Sequence, residues 1–114
     1  MGMTHDGQVD SILRALADPS RRRAVELLSE APHRAGDLAQ SLNLPAATMS
    51  KHLRVLLDAG IVADERPPGD ARVRIFRLRA GPVAGLRAWL DQMQAHWDEQ
   101  LGSFKSHVER GGRP

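Results

Sequence analysis

Residues 35–60, AGDLAQSLNLPAATMSKHLRVLLDAG, constrain the fold more than any other stretch of the chain. Ala35, Leu38, Ala39 and Leu42 recur at helical spacing and define a short helix. Asn43-Leu44-Pro45 interrupts it, and a longer helix follows with Met49, Leu53, Leu56 and Leu57 gathered on one side. Short helix, tight turn and longer helix make a helix-turn-helix layout. A step of about 100° per residue puts Ala47, Ser50, Lys51 and Arg54 opposite the apolar seam, with Thr48 and His52 on its flank. No carboxylate precedes Asp58 on this helix. A helix that only had to stay dissolved would mix its signs, whereas this one offers cations and hydroxyls to something negative.

The flanking segments complete an architecture. Val9, Ile12, Leu13 and Leu16 predict a short first helix that stops at Asp18-Pro19. The same pair opens a second helix, PSRRRAVELLSE, because Asp18 suits the N-cap and Pro19 the first helical position. Val25 and Leu28 should face inward there, with Arg21 to Arg23 on the first turns. After Gly60, Val73, Ile75, Phe76 and Leu78 nearly alternate with Arg72, Arg74 and Arg77, behind a Pro67-Pro68-Gly69-Asp70 turn cluster. This is a β-hairpin with a basic return strand. Pro82 then opens a last helix whose Leu86, Leu90, Met93, Trp97, Leu101, Phe104 and Val108 form an apolar seam about six turns long. Three short helices cannot cover that seam, so a partner is expected.

The fold class is therefore mainly α with a small β-hairpin: a winged helix-turn-helix of five helices, with the hairpin between the fourth and the fifth. One domain should span residues 1–110, with the helix-turn-helix at 34–60, the wing at 61–79 and a dimerisation helix at 82–108. Residues 111–114 should form a disordered tail.

Composition narrows the function. The 114 residues suffice for a single core, and 41% hydrophobic and 26% charged residues are those of a globular chain. No apolar run approaches membrane-spanning length, so no membrane partner is expected. MGMTHDGQVD lacks the basic-then-apolar pattern of an export signal, which makes the cytoplasm the default location. The absence of cysteine excludes disulfides and thiolate metal sites. Net charge is only +2, but residues 19–79 hold 11 Lys/Arg against 7 Asp/Glu, while residues 1–18 come to −2. A basic middle is what a nucleic-acid reader requires. There is no Gly-rich phosphate loop and no nucleophile elbow, and Ser50 has no evident base partner, so neither an enzyme nor a cofactor is expected.

ALADPSRRRAVELL, GDLAQSLNLPAATMSKHLRVLLDAGIV and RVRIFRL together resemble the ArsR/SmtB family of small bacterial transcriptional repressors, over residues 9–104. The resemblance implies a homodimer formed through the first and last helices, with double-stranded DNA as partner and an imperfect palindromic operator, its own promoter included. It implies DNA contacts from Ala46, Ala47, Thr48, Ser50, Lys51, His52 and Arg54 on the reading helix. Arg72 and Arg74 would follow in the wing, with Arg66 and Arg77 beside them in undecided directions. Ser50 and Thr48 suit phosphate or base edges, Lys51 guanine or phosphate, Arg54 phosphate, and the two alanines thymine methyl groups. His52 has two readings, packing against the neighbouring helix or touching phosphate.

Family members often carry Ser-Gln where this chain has Pro45-Ala46, which shifts recognition toward phosphate contacts and DNA shape. For the dimer, the resemblance implicates Leu13 and Leu16 with Leu90, Met93, Trp97, Leu101 and Phe104. The family's thiol positions fall near Arg34 and Gly36, and Gln94 and Arg110 flank His96 and His107 where further ligands would be needed. No metal site is expected, and a small-molecule effector is left open. The competing reading is a winged-helix module that binds protein instead of DNA.

Overall fold

Asp18 caps the second helix as its residue type predicts. Its carboxylate accepts from the backbone N–H of Ser20 at 2.7 Å and of Arg21 at 3.2 Å, and Pro19 fills the first helical position. This junction separates α1 (Gly2–Ala15) from α2 (Pro19–Glu30) in the computed structural model, which describes residues 2–111. The first helix thus begins well before the Val9 seam that announces it.

A two-residue strand, β1 (His33–Arg34), leads into α3 (Ala35–Leu42). Asn43 ends α3 in the left-handed region at φ 55°, which its short polar side chain tolerates, and Leu44 N–H closes the turn on the Ala39 carbonyl at 2.9 Å. Pro45 then starts α4 (Ala46–Asp58) without a side-chain cap. Gly60, at φ 75°, lets Ile61 N–H reach the Leu56 carbonyl at 3.0 Å and its own N–H reach that of Leu57 at 2.9 Å. That Schellman closure turns the chain directly into the sheet.

The wing strands are β2 (Val62–Glu65) and β3 (Ile75–Leu78), followed by α5 (Ala80–Gly111). The sheet is antiparallel with order β1-β3-β2, pairing His33 with Phe76 and Asp64 also with Phe76. The expected hairpin therefore gains a third strand. Two residues are too short for alternation to reveal β1, and Phe76 becomes central instead of lying on an edge. The strand also starts later than the residue pattern suggests, so Arg72 and Arg74 lie in the loop before β3 and not on it. α5 begins two residues before Pro82, whose ring is buried in the first turn. The tail expected to be disordered falls at residues 112–114, outside those described, and Gly111 closes α5.

Every element through β3 except β1 contributes to one core, whose buried members include Ile12, Leu28, Leu38, Met49, Leu53, Leu56 and Phe76. Each such side chain contributes about 1.5–3 kcal/mol on leaving water. On α2 Leu28 is buried as expected and Ala24 with it, whereas Val25 is only half-buried, because the small Ala24 lets the helix back approach its neighbours closely. α5 behaves differently. Leu86 packs on the core, but Leu90, Trp97, Leu101, Phe104 and Val108 are each at least half exposed.

Candidate nucleic-acid interface

The burial of α4 follows its sequence pattern. Met49, Leu53 and Leu56 are sealed against the core, while Ala46, Ala47, Ser50, Lys51 and Arg54 stand exposed on the far side. Thr48 and His52 are half-buried on the flank. The exposed face runs along a helix about 20 Å long, at the width an α-helix needs to enter the major groove of B-DNA.

An open cleft of about 340 Å³ separates this face from the wing. Ser50, Lys51 and Arg54 form one wall and Arg74 the other, with Leu53, Leu57 and Phe76 as the floor. A second concavity continues past Ser50 toward Arg34 and Arg72. Cations thus rim a groove whose base is apolar. Among the described residues Lys51 pairs with no carboxylate, which leaves its charge available to an incoming anion.

Arg54, Arg66, Arg72 and Arg77 are engaged. Arg54 lies 3.5 Å from Asp58 one helical turn on, an exposed pair of little energetic weight. Arg72 is 3.5 Å from Asp70, whose side chain also accepts the Arg72 N–H at 3.1 Å and shapes the wing tip. Arg66 donates to the Ala71 carbonyl at 2.6 Å across that tip. Arg77 sits 3.7 Å from Glu65 on the opposite face of the sheet.

Arg74 is the most constrained. Its Nη2 and Nε reach one Asp64 oxygen at 2.7 and 2.9 Å, and its guanidinium lies 5.0 Å from the centroid of the Phe76 ring. Register explains the triad: Asp64 is the cross-strand partner of Phe76, and Arg74, in the loop one residue before β3, reaches both. Asp64 was not among the residues expected at this site. Its signal is readable only once the register is known, since ADE carries no chemistry by itself.

His52 turns away from the exposed face, with its Nδ1 3.3 Å from Nη1 of Arg21 on α2. This is a contact with a neighbouring helix, the first of its two readings. Asp18 lies in the same neighbourhood. Partial burial would raise its carboxyl pKa, but the N–H groups of Arg21 and Ser20 and the charges of His52 and Arg21 outweigh that, and the net shift is downward.

Of the residues expected in the dimer surface, Leu13, Leu90, Trp97, Leu101 and Phe104 are exposed. Leu16 and Met93 are half-buried, Leu16 packing against its own core. Among the described residues no cluster of three or more His, Asp or Glu could hold a metal ion, and no helix is long and apolar enough to cross a membrane.

A helix-turn-helix whose second helix exposes Ser50 and Lys51 beside a basic wing, itself part of a three-stranded sheet, defines a winged-helix DNA-binding regulator. Residues 18–64 match the model of a bacterial regulatory protein family, the arsR family, and the chain belongs to that family. It is 36% identical over 103 residues to the HTH-type transcriptional regulator Rv2034 of Mycobacterium tuberculosis, covering 90% of this chain and 91% of that one. The crystal structure of the ArsR family transcriptional regulator RHA00566 superposes with a TM-score of 0.73 at 30% identity, covering 82% of this chain and 93% of the other. The fold is shared as well with a homodimeric winged helix-turn-helix DNA-binding domain, Mb0332 of Mycobacterium bovis. There the TM-score is 0.60 at 24% identity, over 83% of this chain and 82% of that one.

Proposed function

We propose that the protein is a cytoplasmic homodimeric repressor that lays α4 into the major groove and its wing against the adjoining backbone, occluding a promoter that includes its own. The observation that carries this reading is the face of α4, where Lys51, with no carboxylate partner among the described residues, stands beside Ser50 above a sealed apolar seam. Residues 34–60 then act as the reading unit, 61–79 as the wing and 82–108 as the dimer helix.

Ser50 and Lys51 take base edges or phosphate, Thr48 and Arg54 phosphate, and Ala46 and Ala47 thymine methyl groups. Arg72 and Arg74 contact the minor groove or backbone. With Pro45 at the N-cap supplying no hydroxyl, backbone contacts and DNA shape carry much of the selectivity. The long apolar face of α5, together with α1, supplies the two-fold contact, as a second copy brings the same surface to meet it. The family's members are regulators, and on this reading the chain acts by binding and not by catalysis.

The test is a gel shift on the duplex upstream of its reading frame, against random competitor, across salt concentrations. Lys51→Ala and Ser50→Ala should weaken specific binding by about 1–3 kcal/mol, much more than they weaken non-specific binding. Arg72→Ala should weaken both and flatten the salt dependence by about one unit of slope. Unchanged operator affinity in Lys51→Ala would reject α4 as the reading helix.

A further inference from the structure

Arg21 joins parts of the molecule that have separate tasks. Its Nε donates to the Ala15 carbonyl at 2.6 Å, and its Nη2 to the Arg14 carbonyl at 3.3 Å, which also accepts the Ala17 N–H where α1 ends. Its Nη1 faces Nδ1 of His52 on α4 at 3.3 Å. Its backbone N–H is itself held by Asp18. Arg22 caps the same turn through the carbonyls of Leu16 at 2.7 Å and Ala17 at 3.1 Å, yet it makes no hydrogen bond to α4.

A guanidinium is a rigid planar fork, so donors that bond α1 and α4 at once fix the distance and angle between them. α1 packs on α5, and these two helices bear the exposed apolar surface, whereas α4 bears Ser50 and Lys51. His52 directly follows Lys51 in the chain. A side chain that sets His52 therefore sets the pitch of the reading face.

We infer that Arg21 is a positioning residue: through His52 it locks the reading helix to the dimer-forming pair α1 and α5, so that two reading heads reach successive grooves in register. This rests on the dimeric DNA-binding reading above. Because guanidinium only donates, the bond requires Nδ1 of His52 to be bare and the ring proton to sit on Nε2.

The experiment uses the full chain and a duplex selected in vitro from random DNA, compared with the same duplex after one half-site is scrambled. Arg21→Lys keeps the charge but cannot span the three acceptors. It should lose about fivefold or more on the two-site duplex and less than about twofold on the single-site one, as a loss of coupling rather than of contact. His52→Asn, whose side-chain oxygen stands near the Nδ1 position, should retain two-site binding, whereas His52→Leu should reproduce the Arg21→Lys loss. The double variant Arg21→Lys/His52→Leu should be no worse than either single one. Equal losses on both duplexes, or additive losses in the double variant, would overturn the inference and make His52 a direct phosphate contact.

Nitrogen-15 NMR of the DNA-free protein gives an independent reading. Neutral His52 should carry its proton on Nε2, and a proton on Nδ1 would also overturn the inference. Wild-type protein that bound neither duplex would reject the DNA reading alone, and the ring spectrum would still decide the Arg21–His52 bond.

Discussion

Asp18 shows how one residue type serves two levels of structure. As an N-cap it satisfies two amides at the start of α2, and as a charge it lies near Arg21 and His52. Both roles favour the ionised carboxylate, and its folded pKa is lowered below the ordinary value. A depressed carboxylate pKa stabilises the fold at pH above the unfolded value, about 3.9, and that contribution is lost as pH falls through the folded one. Asp18→Asn retains a capping oxygen but does not titrate. The difference in urea midpoint between wild type and Asp18→Asn should therefore be constant above about pH 5 and shrink below about pH 4. A difference that stayed flat to pH 3 would mean that the charge of Asp18 adds nothing to its hydrogen bonds.

Among the elements, the wing is the one whose electrostatics the structure changes most. Arg74 looks like a free cation in RVRIFRL, but register sets it against Asp64 and over Phe76. An exposed pair of this kind is worth no more than about 1 kcal/mol of stability, so Asp64→Ala should leave the urea midpoint almost unmoved. DNA binding should respond far more, because removing a carboxylate releases one cation toward phosphate. Asp64→Ala should tighten binding at low salt and steepen the plot of log K against log salt by about 0.9. An unchanged slope would show that Arg74 does not touch the backbone.

The same contrast explains which parts of the molecule could be read before the fold was known. α2, α3 and α4 were legible because helical periodicity agrees with a boundary signal in each: the Asp18-Pro19 start of α2, the Asn43-Leu44-Pro45 break after α3 and Gly60 after α4. The exposed face of α4 followed from the same helical step. The strand β1, the pairing of Arg74 with Asp64 and the inward turn of His52 were not legible, since each depends on a neighbour distant in sequence. Local pattern places a side chain on a face, but only tertiary packing says which charge it finds there.

At the scale of the whole molecule, one protomer is an unfinished object. A compact chain of this length has a radius of gyration of about 13 Å, whereas this one measures 19.8 Å and extends 76 Å along its longest axis. The excess comes from α5, 32 residues and about 48 Å long, whose outer half carries Trp97, Leu101, Phe104 and Val108 in water. Burying such side chains gains about 1.5–3 kcal/mol each, and a helix pair of this length can supply the roughly 800 Å² per partner that a stable interface needs. A second copy also solves a recognition problem. In the proposed dimer, two α4 helices about 34–36 Å apart would read two half-sites at once, and linking them would raise affinity by about 10²–10⁴ over a single head.

Sedimentation at micromolar concentration should accordingly find a dimer, and Trp97→Glu/Leu101→Glu should find a monomer. Neither residue belongs to the protomer core, so helix content should persist by circular dichroism. Operator affinity should nevertheless fall by at least about a hundredfold, with single half-site binding retained. A monomeric wild type that still bound its operator tightly would leave the apolar length of α5 without a role in DNA recognition.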